Sequence, residues 1–229
     1  MSAQKKKSRL TTRGIHGHVR GPQRGFAFGY SPVVLPEGNG NGSPAMGFEF
    51  GILRLRRATA YRERTTKETE LVLLDGAVEV MMGRERFAAS RASLFDEQPA
   101  AFHCGPGVDL AIKTRKHEAE FALLRVRNGR ELPPTFHAPE SVMTEDRGAG
   151  LVQGACRRLV RTIFDHSTRP DSNLVVGEVV NLPGRWSSYP GHHHPQPEVY
   201  HYRFTLPPDA YRGVTRADIQ SMARKYLRD

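Results

Sequence analysis

Glu70-Leu-Val-Leu-Leu74, Asp75-Gly76 and Ala77-Val-Glu-Val-Met-Met82 decide the fold class of this 229-residue chain. Two β-prone runs flank an Asp-Gly pair, whose residues tolerate the positive φ that a tight two-residue turn demands, so a β-hairpin centred on Asp75-Gly76 is expected. Upstream, Glu49–Arg57 (EFGILRLRR) ends in strict alternation, with Leu53 and Leu55 on one face and Arg54 and Arg56 on the other. Downstream, short strands are expected at 86–88, 92–95, 100–103, 108–113 and 119–127. Close spacing, turn residues between the runs and no long helical pattern indicate an all-β sandwich or barrel.

Residues 128–150 are rich in Pro, Gly and acid, and strand-like text resumes at 157–164, 173–181 and 198–204. Two tandem β domains follow: 25–135, then 151–229, joined by a linker at 136–150. Near the end, Thr215-Arg-Ala-Asp218 has the character of a capping box. Ile219, Met222, Ala223, Tyr226 and Leu227 then share one helical stripe, so a short amphipathic helix is expected over 215–228.

Composition narrows the function classes. The net charge of +10 suggests a nucleic-acid binder until it is located: residues 1–24 carry seven Lys and Arg and no acid, leaving +3 on the other 205 residues. The first 24 residues are therefore read as a basic flexible arm on a nearly balanced body, and nucleic acid is not the expected partner. No apolar run approaches the roughly 18 residues of a membrane span, and no signal-like stretch follows Met1. With two cysteines, Cys104 and Cys156, a disulfide scaffold is ruled out and a cytoplasmic location is expected.

Chemistry concentrates between Pro183 and Tyr200. His192-x-His194-x-x-x-Glu198 sets two imidazoles and a carboxylate at short spacing beside a strand-like run. Residues i and i+2 of an extended segment point the same way, so His192 and His194 would project together, with Glu198 able to join them across a turn. Such a donor set suits a divalent metal, Zn, Mn or Fe, with Zn or Mn the first choice, and leaves positions for substrate oxygens. The competing reading is a solvated His/Pro loop; against it, four of the chain's ten histidines fall within 192–201. His103 and Cys104 close an expected strand and are read as core. The N-terminal β domain has no H-x-H pair and is read as structural.

Gly184-Arg-Trp-Ser-Ser-Tyr-Pro190 followed by His-x-His resembles the 5-deoxy-glucuronate isomerase family of myo-inositol catabolism. So do Asp171-Ser-Asn-Leu-Val-Val-Gly-Glu-Val179, Glu70–Val78 and Arg91-Ala-Ser-Leu-Phe-Asp96. The resemblance covers roughly residues 45–208. It implies a bicupin, two tandem jelly-roll barrels with the metal in the second, and it matches His192, His194 and Glu198 to three metal ligands. It also implies an aldose–ketose isomerase that converts 5-deoxy-glucuronate to 2-deoxy-5-keto-gluconate, working as a homo-oligomer on a small sugar acid. Tyr189, Arg185 and Arg203 are then candidates for substrate contact; the general base stays unassigned among Tyr189, Tyr200, Tyr202 and His201. The family pattern runs on to a later segment bearing a fourth ligand. Here the text turns to the helix instead, so a shortened second cupin with an impaired or altered site is expected. The alternatives are a non-catalytic cupin that binds sugar acids or oligomerises and, within the class, a uronate ketol-isomerase of pectin breakdown.

Overall fold

The computed structural model describes residues 25–38, 45–115, 117–187 and 195–203. The chain forms two compact units, Met1–Pro197 and Glu198–Asp229. In the first unit nine strands build one β module: β1 (Gly29–Val34), β2 (Phe48–Leu55), β3 (Ala60–Arg64), β4 (Glu68–Met82), β5 (Glu85–Arg91), β6 (Ala101–Cys104), β7 (Asp109–Thr114), β8 (Ala119–Val126) and β9 (Thr135–His137). Three more, β10 (Met143–Arg147), β11 (Arg158–Phe164) and β12 (Val176–Asn181), form a separate antiparallel sheet in that order. The all-β expectation holds. Among the described residues only two short 3-10 turns, Pro139–Ser141 and Leu151–Gly154, are helical.

Strand β4 organises the module. Its first half lies between β8 and β6 in the run β1-β2-β8-β4-β6-β9, and its second half pairs with β5 and β7, with β3 beyond β7. The hairpin expected at Asp75-Gly76 is absent because β4 runs straight through it. The tight turn comes later, where Met82 pairs with Glu85 around Gly83-Arg84. Between Leu73 and Asp75 the register against β8 shifts by one residue. Such a bulge reverses the parity of the strand. Leu71 and Leu73 accordingly face the core before it and Val78, Val80 and Met82 after it. Asp75-Gly76 thus bends one strand from the first sheet into the second.

Ala92–Phe95 forms a turn rather than the expected strand. The Ser93 hydroxyl donates to Asp96 Oδ2 at 2.6 Å and accepts from the Asp96 amide at 3.1 Å, a local bond that competes with pairing. The core is packed from inward residues of both sheets, including Leu53, Leu73, Val80, Ile112, Phe121 and Leu123, all fully buried. Phe102 stacks on Phe136 at 5.0 Å and meets Phe121 edge-on at 6.4 Å. Within the stretch read as linker, β9 joins β6 of the first sheet while β10 starts the small sheet. In the second unit, Glu198–Arg203 forms no strand, having no ladder partner among the described residues. The helix expected over 215–228 lies outside the described residues.

Candidate functional site

His192, His194 and Tyr189 also lie outside the described residues. Glu198 is described: its carboxylate accepts a hydrogen bond from the Tyr200 hydroxyl, and this bond to an acid raises the phenol. Tyr200 and Tyr202 stack at 6.0 Å, both largely exposed, and Arg203 is also exposed. Arg185, in the first unit, is exposed; its backbone N–H closes a turn on the Leu182 carbonyl, and its guanidinium lies beside Gly154. Among the described residues no three His, Cys, Asp or Glu side chains converge on a possible metal position.

What the structure does display is polar chemistry in two places that the strand pattern hides. The first is inside the module. Glu49 and Arg125, direct cross-strand partners on β2 and β8, share the inward phase of Leu53 and Leu123. Arg125 donates to Glu49 at 2.8 Å, to Glu63 at 2.7 Å and to the Tyr61 hydroxyl at 3.0 Å. Tyr30 donates to Glu49 at 2.7 Å, Tyr61 to Glu63 at 2.6 Å, and Lys67 reaches Glu49 at 3.3 Å. Burial alone would raise the Glu49 carboxyl, but these donors outweigh it and hold it low. Burial and adjoining carboxylates push the Tyr30 and Tyr61 phenols up. Two carboxylates thus face two cations in a charge-balanced plug on the inner face of the module, with Glu63 Oε1 buried and left without a hydrogen-bond partner.

The second place is the seam where the outer face of the first sheet meets the segment 156–176. Glu68, fully buried on β4, accepts from His103 Nε2 at 2.9 Å, Ser172 Oγ at 2.5 Å, Asn128 Nδ2 at 2.8 Å and the Asn173 amide at 3.0 Å. Because an ionised carboxylate only accepts, His103 carries its proton on Nε2. Phe164 stacks on both His103 (4.8 Å) and His137 (5.1 Å). A polar cleft of about 460 Å3, lined by Thr66, Lys67, Arg127, Asn128, Gly129 and Asn173, opens beside this group.

Burial would raise Glu68, yet the four hydrogen bonds bring it down to about 2. Burial also lowers His103, and it lowers His137 to about 4 with help from Arg169. A depressed carboxyl gives stability that is complete above its ordinary value near 4.5 and lost as pH falls toward 2; for Glu68 the loss is about 3 kcal/mol. The two histidines act in the same direction from about pH 6.5 downward, since the unfolded chain takes up their protons first. Urea unfolding between pH 2.5 and 7 should show this acid limb, and Glu68→Gln should flatten its lower part. An unchanged limb would remove Glu68 from the account.

A nine-stranded β module in which β4 is shared between two sheets, followed by a three-stranded antiparallel sheet, defines an all-β protein of cupin-like fold. The chain belongs to the KduI/IolB family, which its residues 33–226 match. It is 32% identical over 158 residues to the 5-deoxy-glucuronate isomerase of Geobacillus kaustophilus (strain HTA426), covering 68% of this chain and 55% of that protein. It is 31% identical over 167 residues to the enzyme of the same name from Listeria innocua, covering 71% and 59% respectively. In structure it resembles an IolB-like protein of Salmonella typhimurium LT2, with a TM-score of 0.59, 23% identity and coverage of 72% of this chain and 60% of the other. The chain thus spans little more than half the length of these curated relatives. Among the described residues no helix is long and apolar enough to cross a membrane.

The sequence reading missed Glu49, Glu63, Glu68, Glu70 and Arg125. One signal was present: in Lys67-Glu-Thr-Glu-Leu-Val-Leu-Leu74 the acids Glu68 and Glu70 share the phase of Val72 and Leu74, a face that the seam covers.

Proposed function

We propose that this protein is a metal-dependent aldose–ketose isomerase acting on 5-deoxy-glucuronate, with 2-deoxy-5-keto-gluconate as product. The observation that carries the reading is His192-x-His194-x-x-x-Glu198 standing within a family match to residues 33–226. Two imidazoles and a carboxylate are a donor set that Zn or Mn accepts. Bound there, such an ion supplies Lewis-acid stabilisation of negative charge developing on adjacent substrate oxygens. His192, His194 and Glu198 would hold it, with Tyr200 fixing the Glu198 carboxylate by the hydrogen bond described above. The substrate's own carboxylate calls for a guanidinium, which Arg185 or Arg203 would provide, with Tyr189 available to contact a hydroxyl. The proton that moves between neighbouring carbons needs a side-chain carrier close to the substrate. A small sugar acid as substrate, a homo-oligomeric assembly and a cytoplasmic location belong to the same proposal.

The full chain, loaded with Mn or Zn, is expected to carry stoichiometric metal and to turn over 5-deoxy-glucuronate, at a rate lowered by the altered segment where the family pattern has its fourth ligand. His192→Ala should lose both. Protein that is folded, free of metal and inactive would overturn the reading. Metal-independent binding of the sugar acid without turnover would replace it with the non-catalytic one.

A further inference from the structure

Next to the Glu68 group lies a second carboxyl that the proposed reaction does not use. Glu70 stands opposite His103 on β6 and Leu124 on β8, is fully buried, and offers both side-chain oxygens to no hydrogen-bond partner. The titratable and charged groups around it are Glu68 on β4, His103 on β6 with His137 of β9 beside that ring, and Arg169 in the loop after β11, while Cys104 lies on the opposite, core face of β6. Of these only Arg169 is a cation, and it is engaged elsewhere. Its NH1 donates to Thr135 Oγ1 at 2.7 Å and its NH2 to the Pro133 carbonyl at 2.9 Å, tying the loop to β9, while its Nε has no partner.

We propose that Glu70 and Arg169 form a proton-operated latch on this seam: closed while Glu70 is a neutral acid, released when it ionises. A carboxylate in that position must draw in its one available cation, because a buried unpaired charge costs far more than a neutral acid. The free Nε of Arg169 can meet only one carboxylate oxygen; a two-point grip on Glu70 needs NH1 or NH2 as well, and so costs the Thr135 or the Pro133 bond that holds the loop to β9. Burial dominates the behaviour of Glu70 and, with the nearby Glu68 charge, raises its carboxyl well above the ordinary value in spite of Arg169.

The sign follows from linkage. A carboxyl raised in the folded state gives stability that is complete below about pH 4.5 and lost as pH climbs through its folded value. Over that window each pH unit lowers the folding equilibrium constant by up to about tenfold. His103 and His137 oppose this slope below about pH 6.5, and Cys104, whose thiol burial pushes up to about 12, acts only from about pH 9 upward.

The test is the stability difference between the full-length protein and Glu70→Gln, which cancels the other groups, measured by urea unfolding from pH 5 to 8.5. Gln keeps the shape and cannot ionise. The expected result is a difference that grows in favour of the Gln variant as pH rises, with faster amide exchange in 133–137 and 165–172 of the parent alone. A difference that stays constant across the range would overturn the latch and leave Glu70 as packing. Should Glu70→Gln fail to fold, Glu70→Met serves in its place. Arg169→Lys adds a second readout: its opening should begin at a different pH from the parent's, and an unchanged onset would also overturn the proposal.

Discussion

Glu178→Ala is expected to cost about 3–5 kcal/mol of folding stability, as the removal of one partner from a buried ion cluster does. Arg91 has a fully buried side chain and grips Glu178 with both terminal nitrogens, at 2.7 and 2.8 Å. Arg161, 5% exposed, stands 3.6 Å from the same carboxylate. The two guanidiniums also donate to the carbonyls of Leu94 and Glu97, and Arg161 to that of Phe95, so they shape the 92–97 turn and join it to β11 and β12. Removing the acid strands two cations where water is scarce, and that penalty exceeds the loss of the contacts themselves. Glu178→Gln should cost less, since an amide still accepts from one guanidinium. Urea unfolding at pH 7 checks both. If the alanine variant lost under about 1 kcal/mol, the cluster would be solvated and the small sheet free of this joint.

The joint also explains what could and could not be seen in the amino-acid order. Strands β2, β5, β7, β8 and β11 were legible because one face of each buries apolar side chains against the core, which writes a period of two into the text. Strand β3 was not legible. Its inward residues are Tyr61 and Glu63, members of the plug around Arg125, so the alternation it carries is polar on polar. Strands β9 and β10 are short, follow prolines, and are strands only because β6 and β11 offer them edges. The buried acids were hidden for a related reason. An acid in a strand reads as its solvent face until the segment that covers it is known, and for Glu68 that segment begins 104 residues later at Ser172. The H-x-H…Glu motif can be picked out because it spans only seven residues, though His192 and His194 lie outside the described residues. Arg91 in Arg-Ala-Ser-Leu-Phe-Asp96 stood out only by family resemblance, and its counterion is 87 residues away.

Gly76 ties these two kinds of information together, and replacing it should have the other large effect. The hairpin reading requires positive φ at both Asp75 and Gly76; Gly76 has φ +110°, whereas Asp75 is not among the residues with positive φ. The consequence differs from a hairpin because the flanking runs pair with different strands, β8 and β6 on one side and β5 and β7 on the other. A β-carbon at Gly76 would sit 2.6 Å from the Glu118 carbonyl oxygen and 2.8 Å from Ala119 Cα, both backbone atoms with no rotamer to yield. Backbone strain of about 1–3 kcal/mol then adds to a steric cost of similar size, so Gly76→Ala is expected to lose about 4 kcal/mol. Gly83→Ala is the matched control. Gly83 has φ +63° in the true turn between β4 and β5, and a β-carbon there meets nothing within 4 Å, leaving a cost of about 1 kcal/mol from strain alone. The gap between the two variants measures how closely β4 approaches the start of β8 at the bend. Equal losses in thermal or urea unfolding would mean that the backbones have room to separate there, and that Asp75-Gly76 is a flexible corner rather than the fixed hinge on which both sheets depend.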